Sequence, residues 1–217
     1  MELTETKVLN SLKGVPEPTV RRMPQYLTYL KNLKAGGSTS VSAPLIAKDL
    51  KIDSTQVTKD FSYTGITGKP RIGYNIEELI EALKEFLGYN RSDLGFLVGA
   101  GNLGSALINY NGFKDIGLRI VAAFDICPKK VGTTVNGLEV FHIDKFRNLA
   151  ERLHVSIGII TTPENVAQQV ADMMIGWGIK AVWNFTPALV KVPENIILEN
   201  TSIYSNLAVI FNKLNKV

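Results

Sequence analysis

Two rhythms of apolar residues divide this chain of 217 residues. Up to about residue 87, apolar positions recur every three or four residues, the period of helices that bury one face. Thr4–Leu12 predicts a short helix, closed by the breaker run Gly14-Val15-Pro16-Glu17-Pro18. A second helix is expected from Thr19, a capping residue, to about Leu33, with Met23, Tyr26, Leu27, Leu30 and Leu33 close to one face. Ser42 caps a short helix ending near Leu50, Lys51-Ile52-Asp53 turns the chain, and Ser54–Ser62 forms another short helix. In that last helix Val57 and Phe61 point inward, which leaves Thr55, Gln56, Thr58, Lys59 and Ser62 toward solvent. Thr64–Tyr74 is glycine-rich, basic and too broken for a helix; it reads as a hairpin with Lys69 and Arg71 near its tip. Ile76–Phe86 is amphipathic, and the turn-rich run from Gly88 to Asp93 separates a domain of residues 1–88 from one of residues 89–217.

After that boundary short apolar runs alternate with helical stretches, the pattern of a parallel sheet with crossover helices. Leu94–Val98 is a strand that runs into Gly99-Ala100-Gly101-Asn102-Leu103-Gly104 and then a helix to Tyr110. A strand feeding G-x-G-x-x-G is the usual cradle for a dinucleotide pyrophosphate, because the glycines allow a sharp turn, clear space for the phosphates and let helix and strand pack closely. The free N–H groups at the helix start face the anion. Leu118–Asp125 is a second strand ending in an acid 21 residues past Gly104, the offset at which a carboxylate grips the adenosine ribose. Asp125 favours NAD over NADP, although Lys129 and Lys130 nearby leave NADP open. His142–Leu153 reads as a helix. Val155–Ile160 is a strand leading to Thr161-Thr162-Pro163, and Glu164–Trp177 is helical. Ile179–Trp183 is a strand leading to Asn184-Phe185-Thr186-Pro187. Polar residues just past strand C-termini mark the crevice where such sheets bind ligands. Ile196–Leu198 is a last short strand, and Ser205–Leu214 a helix whose stripe of Leu207, Ile210, Phe211 and Leu214 must be buried by its own core or by a second subunit.

Charge sharpens the first domain. The net charge of +4 is unevenly spread: residues 13–75 carry ten Lys/Arg against four Asp/Glu, while residues 76–217 carry thirteen against fourteen. A basic domain joined to a neutral one suggests a polyanion partner. Two short helices with a three-residue turn fit a helix-turn-helix or a plain helical hairpin, and a basic hairpin following them reads as a wing. The candidate DNA contacts are Arg21 and Arg22 on the first long helix; Ser54, Gln56, Thr58, Lys59, Ser62 and Tyr63 on the recognition helix; and Lys69, Arg71 and Tyr74 in the wing. Composition excludes other classes. No apolar run approaches the roughly 18 residues of a membrane span, and Met1-Glu2-Leu3-Thr4-Glu5 lacks a signal peptide's basic start. The single cysteine, Cys127, fits a reducing cytoplasm, and with His142 and His154 it shows no metal-ligand spacing. The expected fold is α/β: a winged helix-turn-helix domain, then a shortened dinucleotide-binding domain built on a Rossmann-like, doubly wound parallel sheet.

With these pieces placed, the chain resembles the Rex family of redox-sensing transcriptional repressors over nearly its whole length. The resemblance rests on Val57-Thr58-Lys59-Asp60-Phe61-Ser62-Tyr63, Ile72-Gly73-Tyr74-Asn75, Gly99–Leu107, Phe124-Asp125 with Pro128 and Lys130-Val131-Gly132, Thr161-Thr162-Pro163 and Asn184-Phe185-Thr186-Pro187. It implies a homodimer on an AT-rich inverted-repeat operator upstream of fermentative or respiratory genes. NAD⁺ would leave that dimer competent for DNA, whereas NADH would close the two nucleotide domains and release it. It also implies that Lys130, Asn184 and Phe185 serve the cofactor with the glycine loop. The C-terminal helix would cross to the partner, and Tyr110 would meet an acid from the partner's C-terminal segment. This chain departs from the pattern at Thr58, where the family usually has Arg; at Pro70, which takes the wing Arg position; at Cys127, which replaces an acid; and at Ser202, on which the partner-facing acid falls.

Three functions follow: a repressor set by the NADH/NAD⁺ ratio, an NAD(H)-binding DNA regulator with weakened or different switching, or an NAD-dependent dehydrogenase with an accessory domain. The last needs an acid or base beside the nicotinamide. Neither His142 nor His154 is expected at the C-terminal end of a strand, and no substrate domain follows Asn200.

Overall fold

The computed structural model describes residues 14–215; the expected helix Thr4–Leu12 lies outside them. The chain divides into two compact units between Asn90 and Arg91, two residues beyond the boundary expected from the turn-rich run.

The first unit contains α1 (Glu17–Ala35), β1 (Ser40–Val41), α2 (Ala43–Leu50), α3 (Ser54–Ser62), β2 (Tyr74–Asn75) and α4 (Ile76–Phe86). Helix α1 starts two residues before the expected cap at Thr19. Pro16 takes the cap position and Pro18 the first turn, where a missing N–H costs nothing, and Glu17 faces the positive helix end. Thr19 is therefore inside the helix and buried. Ser42 caps α2 as expected, accepting from the Leu45 amide, and Asp53 caps α3, accepting from the Thr55 and Gln56 amides. The wing is tight. β1 pairs antiparallel with β2, Val41 opposite Tyr74, and Lys69 and Gly73 exchange two backbone hydrogen bonds of 2.8 Å around Arg71. Met23, Leu30, Ile46, Val57, Leu79 and Leu83 fill the core, joined by Phe61, whose ring meets Tyr26 and Tyr74 edge-on at 5.1 Å each.

The second unit is a seven-stranded sheet built from β3 (Asp93–Val98), β4 (Leu118–Asp125), β5 (Thr134–Val135), β6 (Leu138–His142), β7 (Ile157–Ile160), β8 (Ala181–Asn184) and β9 (Ile197–Asn200), in the order β5-β6-β4-β3-β7-β8-β9. Its helices are α5 (Asn102–Asn109), α6 (Gly112–Asp115), α7 (Phe146–Leu153), α8 (Ala167–Gly176) and α9 (Ile203–Leu214). The six strands other than β5 are parallel and run 3-2-1-4-5-6, the full doubly wound order. The sheet is therefore not shortened in strands; its connections are. The β4–β6 link is a hairpin, since β5 pairs antiparallel with β6, and residues 185–196 join β8 to β9 without a helix. The hairpin also corrects the expected helix His142–Leu153: Leu138–His142 is strand, Ile143–Lys145 one 3-10 turn, and α7 begins at Phe146. Asn136-Gly137, both at positive φ (49° and 78°), make the two-residue turn that Asn-Gly favours. One consequence concerns His142, which does close a strand, opposite Asp125 in the ladder.

Both faces of the sheet are covered. Phe96, Phe124 and Phe146 cluster on one, with ring centroids 4.8–5.1 Å apart, and Leu97, Phe113, Leu118 and Ile159 pack on the other. Helix α9 contrasts with this: no residue of it is buried, and Tyr204, Ile210, Phe211 and Leu214 are each at least half exposed.

Candidate functional site

The crevice of the second unit opens where β3 gives way to α5. Gly99 turns there at φ 104°, and a Cβ on it would sit 2.7 Å from the Thr161 carbonyl, so β7's exit loop lies directly against the turn. A Cβ on Gly104 would meet the Gly99 oxygen at 2.2 Å, so the helix lies as close to the strand as backbone permits. Gly101 differs: a Cβ there would meet nothing nearer than Lys130 Nζ at 3.9 Å. The packing demand falls on Gly99 and Gly104, and Gly101 faces open space. No side chain caps α5, so the amides of Asn102, Leu103 and Gly104 carry the positive helix end that attracts phosphate.

Asp125 closes the other side. Its side chain is 10% exposed. Oδ2 accepts from the Ala100 amide (3.0 Å) and from Lys130 Nζ (3.1 Å), while Oδ1 accepts from the Cys127 amide (2.9 Å). Burial pushes its carboxyl up, but the bonds from Cys127, Lys130 and Ala100 outweigh it and hold the group below the usual carboxylate range. Thr161 fastens the opposite wall, its hydroxyl donating to the Gly99 carbonyl at 2.8 Å. Together with Pro163 at the rim these residues line a cavity of about 760 Å³, large enough for a cofactor. Thr162 Oγ1 is buried in its wall and makes no hydrogen bond.

Other expected cofactor residues stand elsewhere. Asn184 is fully buried; its Nδ2 donates to the carbonyls of Thr186 and Ala188 and to Asn200 Oδ1, and its Oδ1 accepts from Thr186. It is a strut that ties the loop after β8 to β9. Phe185 packs against Trp183 with the rings tilted and their centroids 4.6 Å apart, and lines a separate pocket of about 180 Å³ with Pro187, Thr201, Ser202 and Tyr204. Tyr110, 60% exposed, follows α5 with its ring against Phe113 at 4.9 Å. Sequence reasoning missed the far wall of the crevice, formed by Val166, Val170, Met173 and Trp177. Their 4-3-4 spacing on a helix expected to start after Thr161-Thr162-Pro163 was the available signal.

In the first unit α3, the helix expected to face DNA, is held by a buried acid. Asp60 is fully buried. Arg22 grips it with two nitrogens at 2.7 and 2.8 Å, Tyr26 Oη donates at 2.8 Å, Thr19 Oγ1 at 3.0 Å and Gln56 Nε2 at 2.7 Å. Desolvation pushes Asp60 up, but the bonds from Arg22, Tyr26, Gln56 and Thr19 prevail and lower it; Arg22 is correspondingly raised, chiefly by its hydrogen bond to Asp60. Arg22 and Gln56, expected at the DNA, are thus turned to Asp60. Tyr74, 6% exposed, belongs to the core. The period that placed Val57 and Phe61 inward did not reveal Asp60 between α1 and α3. Lys59, Lys69 and Arg71 are exposed, as are Thr58 and Ser62; Ser54 and Tyr63 are half-buried, and Arg21 pairs with Glu17 at the surface.

Among the described residues no group of three or more His, Cys, Asp or Glu could hold a metal ion, and no helix is long and apolar enough to cross a membrane.

Comparison with known proteins agrees with this two-part build. Residues 14–62 match the family described as putative DNA-binding protein N-terminus, and residues 95–188 match the CoA binding domain. The chain is 50% identical to the redox-sensing transcriptional repressor Rex of Bacteroides thetaiotaomicron, over 93% of this chain and 91% of that protein. It is 40% identical to the protein of the same name in Treponema denticola, over 89% and 92%. Among solved structures, RSP in complex with β-NAD⁺ and operator DNA superposes with a TM-score of 0.88 at 33% identity, covering 93% of each chain. RSP in complex with β-NADH gives 0.86 at 32% identity, covering 94% of this chain and 95% of that one.

Proposed function

The chain belongs to the Rex family of redox-sensing transcriptional repressors, and on that premise we propose that it binds an inverted-repeat operator as a homodimer in the cytoplasm and leaves it when NADH replaces NAD⁺. The observation that carries this reading is the glycine loop held open by Asp125 and Thr161 in the same chain as a winged helix with exposed cations.

The residues present fit a dinucleotide. Gly101 leaves the loop open, Thr162 Oγ1 is a buried hydrogen-bonding atom without a partner, and the α5 amides suit a pyrophosphate. CoA and NAD share an adenosine diphosphate, so a match to a CoA-binding model is consistent with such a cradle. Asp125 takes the ribose hydroxyls and repels a 2′-phosphate. Its hold on Lys130 ties up the nearest cation that would otherwise favour NADP. Bound NAD(H) supplies a ring whose charge differs between its oxidised and reduced forms. The protein turns that difference into a response only if the two forms favour different closures of the dimer, because a ligand with equal affinity for both shifts nothing. Closure matters because two recognition helices must sit about 34 Å apart to read one operator. The uncovered stripe of α9 supplies the dimer's apolar surface, with the helix crossing to the partner.

One observation favours a modified readout. Ser202 caps α9, accepting from the Ser205 amide at 3.1 Å, and a neutral hydroxyl cannot offer the charge-assisted bond of the acid the family pattern places there. The switch in this chain is therefore expected to be shallower than one built on an acid. Catalysis has little support. His142 ends β6 on the adenosine side of the sheet, away from β7–β9 where the nicotinamide half belongs, and its Nδ1 accepts from the Asp144 amide at 3.4 Å.

Fluorescence anisotropy of an AT-rich inverted-repeat duplex, titrated with protein alone, with NAD⁺ and with NADH, tests the reading. Release by NADH and retention with NAD⁺ support it. Tight binding indifferent to both nucleotides makes the chain a constitutive regulator, and substrate-dependent NADH turnover without specific DNA binding overturns the proposal.

A further inference from the structure

The solvent face of α3 carries hydroxyls at Thr55, Thr58 and Ser62, and composition suggests a face that donates hydrogen bonds to base edges. Their geometry says otherwise. Thr55 Oγ1 donates to Asp53 Oδ1, Thr58 Oγ1 donates to the Ser54 carbonyl at 3.1 Å, and Ser62 Oγ donates to the Lys59 carbonyl at 2.7 Å. Each hydroxyl proton is spent within the helix or its cap, as threonine and serine in helices commonly arrange. A threonine whose hydroxyl is tied to the carbonyl one turn back presents its methyl group instead. Beside Thr58 lie Ala43 and Pro44 at the start of α2, whose side chains are carbon only. With Ser54, Thr55, Lys59 and Ser62 they line an open groove of about 410 Å³ between the two helices. Gln56, the one amide on this helix able to read adenine, is turned to Asp60. Beside the half-buried Ser54, what this face exposes is a small apolar step next to one cation, Lys59.

We propose that Thr58 is a specificity-determining residue that reads the C5-methyl group of a thymine in the operator half-site by apolar contact. Ala43 and Pro44 form the second wall of that contact, and Lys59 holds the adjacent phosphate. The methyl is the one apolar mark on a base edge in the major groove, and alanine and threonine methyls are suited to it. The inference rests on the reading that α3 enters that groove. It goes further by assigning the readout to a methyl rather than to a hydrogen bond.

The test uses the full-length protein and a duplex it selects from a randomised inverted-repeat library. Each thymine of a half-site is replaced in turn by deoxyuridine, symmetrically in both half-sites, which removes the methyl alone. One or two adjacent positions should weaken binding about fourfold per half-site, the value of roughly one buried methyl group. Thr58→Val keeps the methyl and loses the hydroxyl; it should bind like the parent and keep the same thymine preference. Thr58→Ser keeps the hydroxyl and loses the methyl; it should bind the thymine duplex several-fold more weakly and no longer distinguish deoxyuridine at that position. All three proteins are expected to share one melting temperature, because the position is exposed. Loss of binding in Thr58→Val with retention in Thr58→Ser overturns the inference, as does a selected duplex in which no thymine methyl matters. Failure of the parent to select or bind any duplex at low salt overturns the DNA-binding reading itself, a distinct result.

Discussion

Glycines 101 and 104 stand three residues apart in one motif and answer to different physics. Gly104→Ala places a methyl 2.2 Å from the Gly99 oxygen and should cost at least about 2 kcal/mol by overpacking, lowering the melting temperature of the second unit in calorimetry. Gly101→Val meets only open space beside Lys130, so the fold should survive with its melting temperature nearly unchanged. NADH affinity should fall more than about tenfold by isothermal titration, because the side chain occupies the phosphate seat. Asp60 carries a second prediction. Its folded carboxyl is held below its ordinary range by Arg22, Tyr26, Gln56 and Thr19. It therefore contributes stability in full above the unfolded value of about pH 4, and that contribution is lost as pH falls through the lower folded value. Asp60→Asn should cost about 3–5 kcal/mol near neutrality by leaving Arg22 half-buried without its charge partner. In urea titrations the gap between parent and variant should narrow below about pH 4, and a gap independent of pH would contradict the account. The motif glycines and Asp125 were legible because a dinucleotide cradle fixes residue types at fixed spacings. Asp60 was not, because an acid that folds inward leaves no mark on a hydrophobic period; only its bonds to Arg22 and Tyr26, more than thirty residues away, disclose it.

At the scale of elements, strong periods were read well and short ones poorly. Helices α2, α3 and α4 fall where their apolar spacing placed them, α2 also with its expected Ser42 cap, since each buries a single stripe on one core. The hairpin of β5 and β6 drew no expectation although Asn136-Gly137 marks a turn, and only its last residue, His142, fell inside an expected helix. Strands of two and five residues offer too few alternations to compete with the helical stretch that follows them. The recognition element makes its own prediction: Lys59→Ala should weaken operator binding several-fold and flatten its salt dependence by about one ion per protomer, about two for the dimer, while NADH affinity stays unchanged. A parallel loss of both, measured by anisotropy and calorimetry on the same preparation, would mean that the two units are wrongly assigned.

For the whole molecule, the sequence disclosed two domains through a change of apolar rhythm and a change of charge, but left open what covers the last helix, because a stripe looks the same whether its partner is the same chain or another. The structure leaves α9 uncovered in its own chain. Leu207→Asp with Phe211→Asp should convert a dimer to a monomer in sedimentation velocity and abolish binding to a two-half-site duplex, with the melting of the first unit unaltered. The sheet itself adds a consequence at this scale. One of its borders ends in β5, two residues long and running against its neighbour, a blunt margin that offers almost no backbone for another molecule's strand to zip onto. The opposite border is β9, four residues that lead, within three positions, into the apolar helix. Strand-on-strand growth is discouraged at the first margin, and the proposed pairing of copies would form at the second, beside the apolar helix, as a closed contact and not an open fibre.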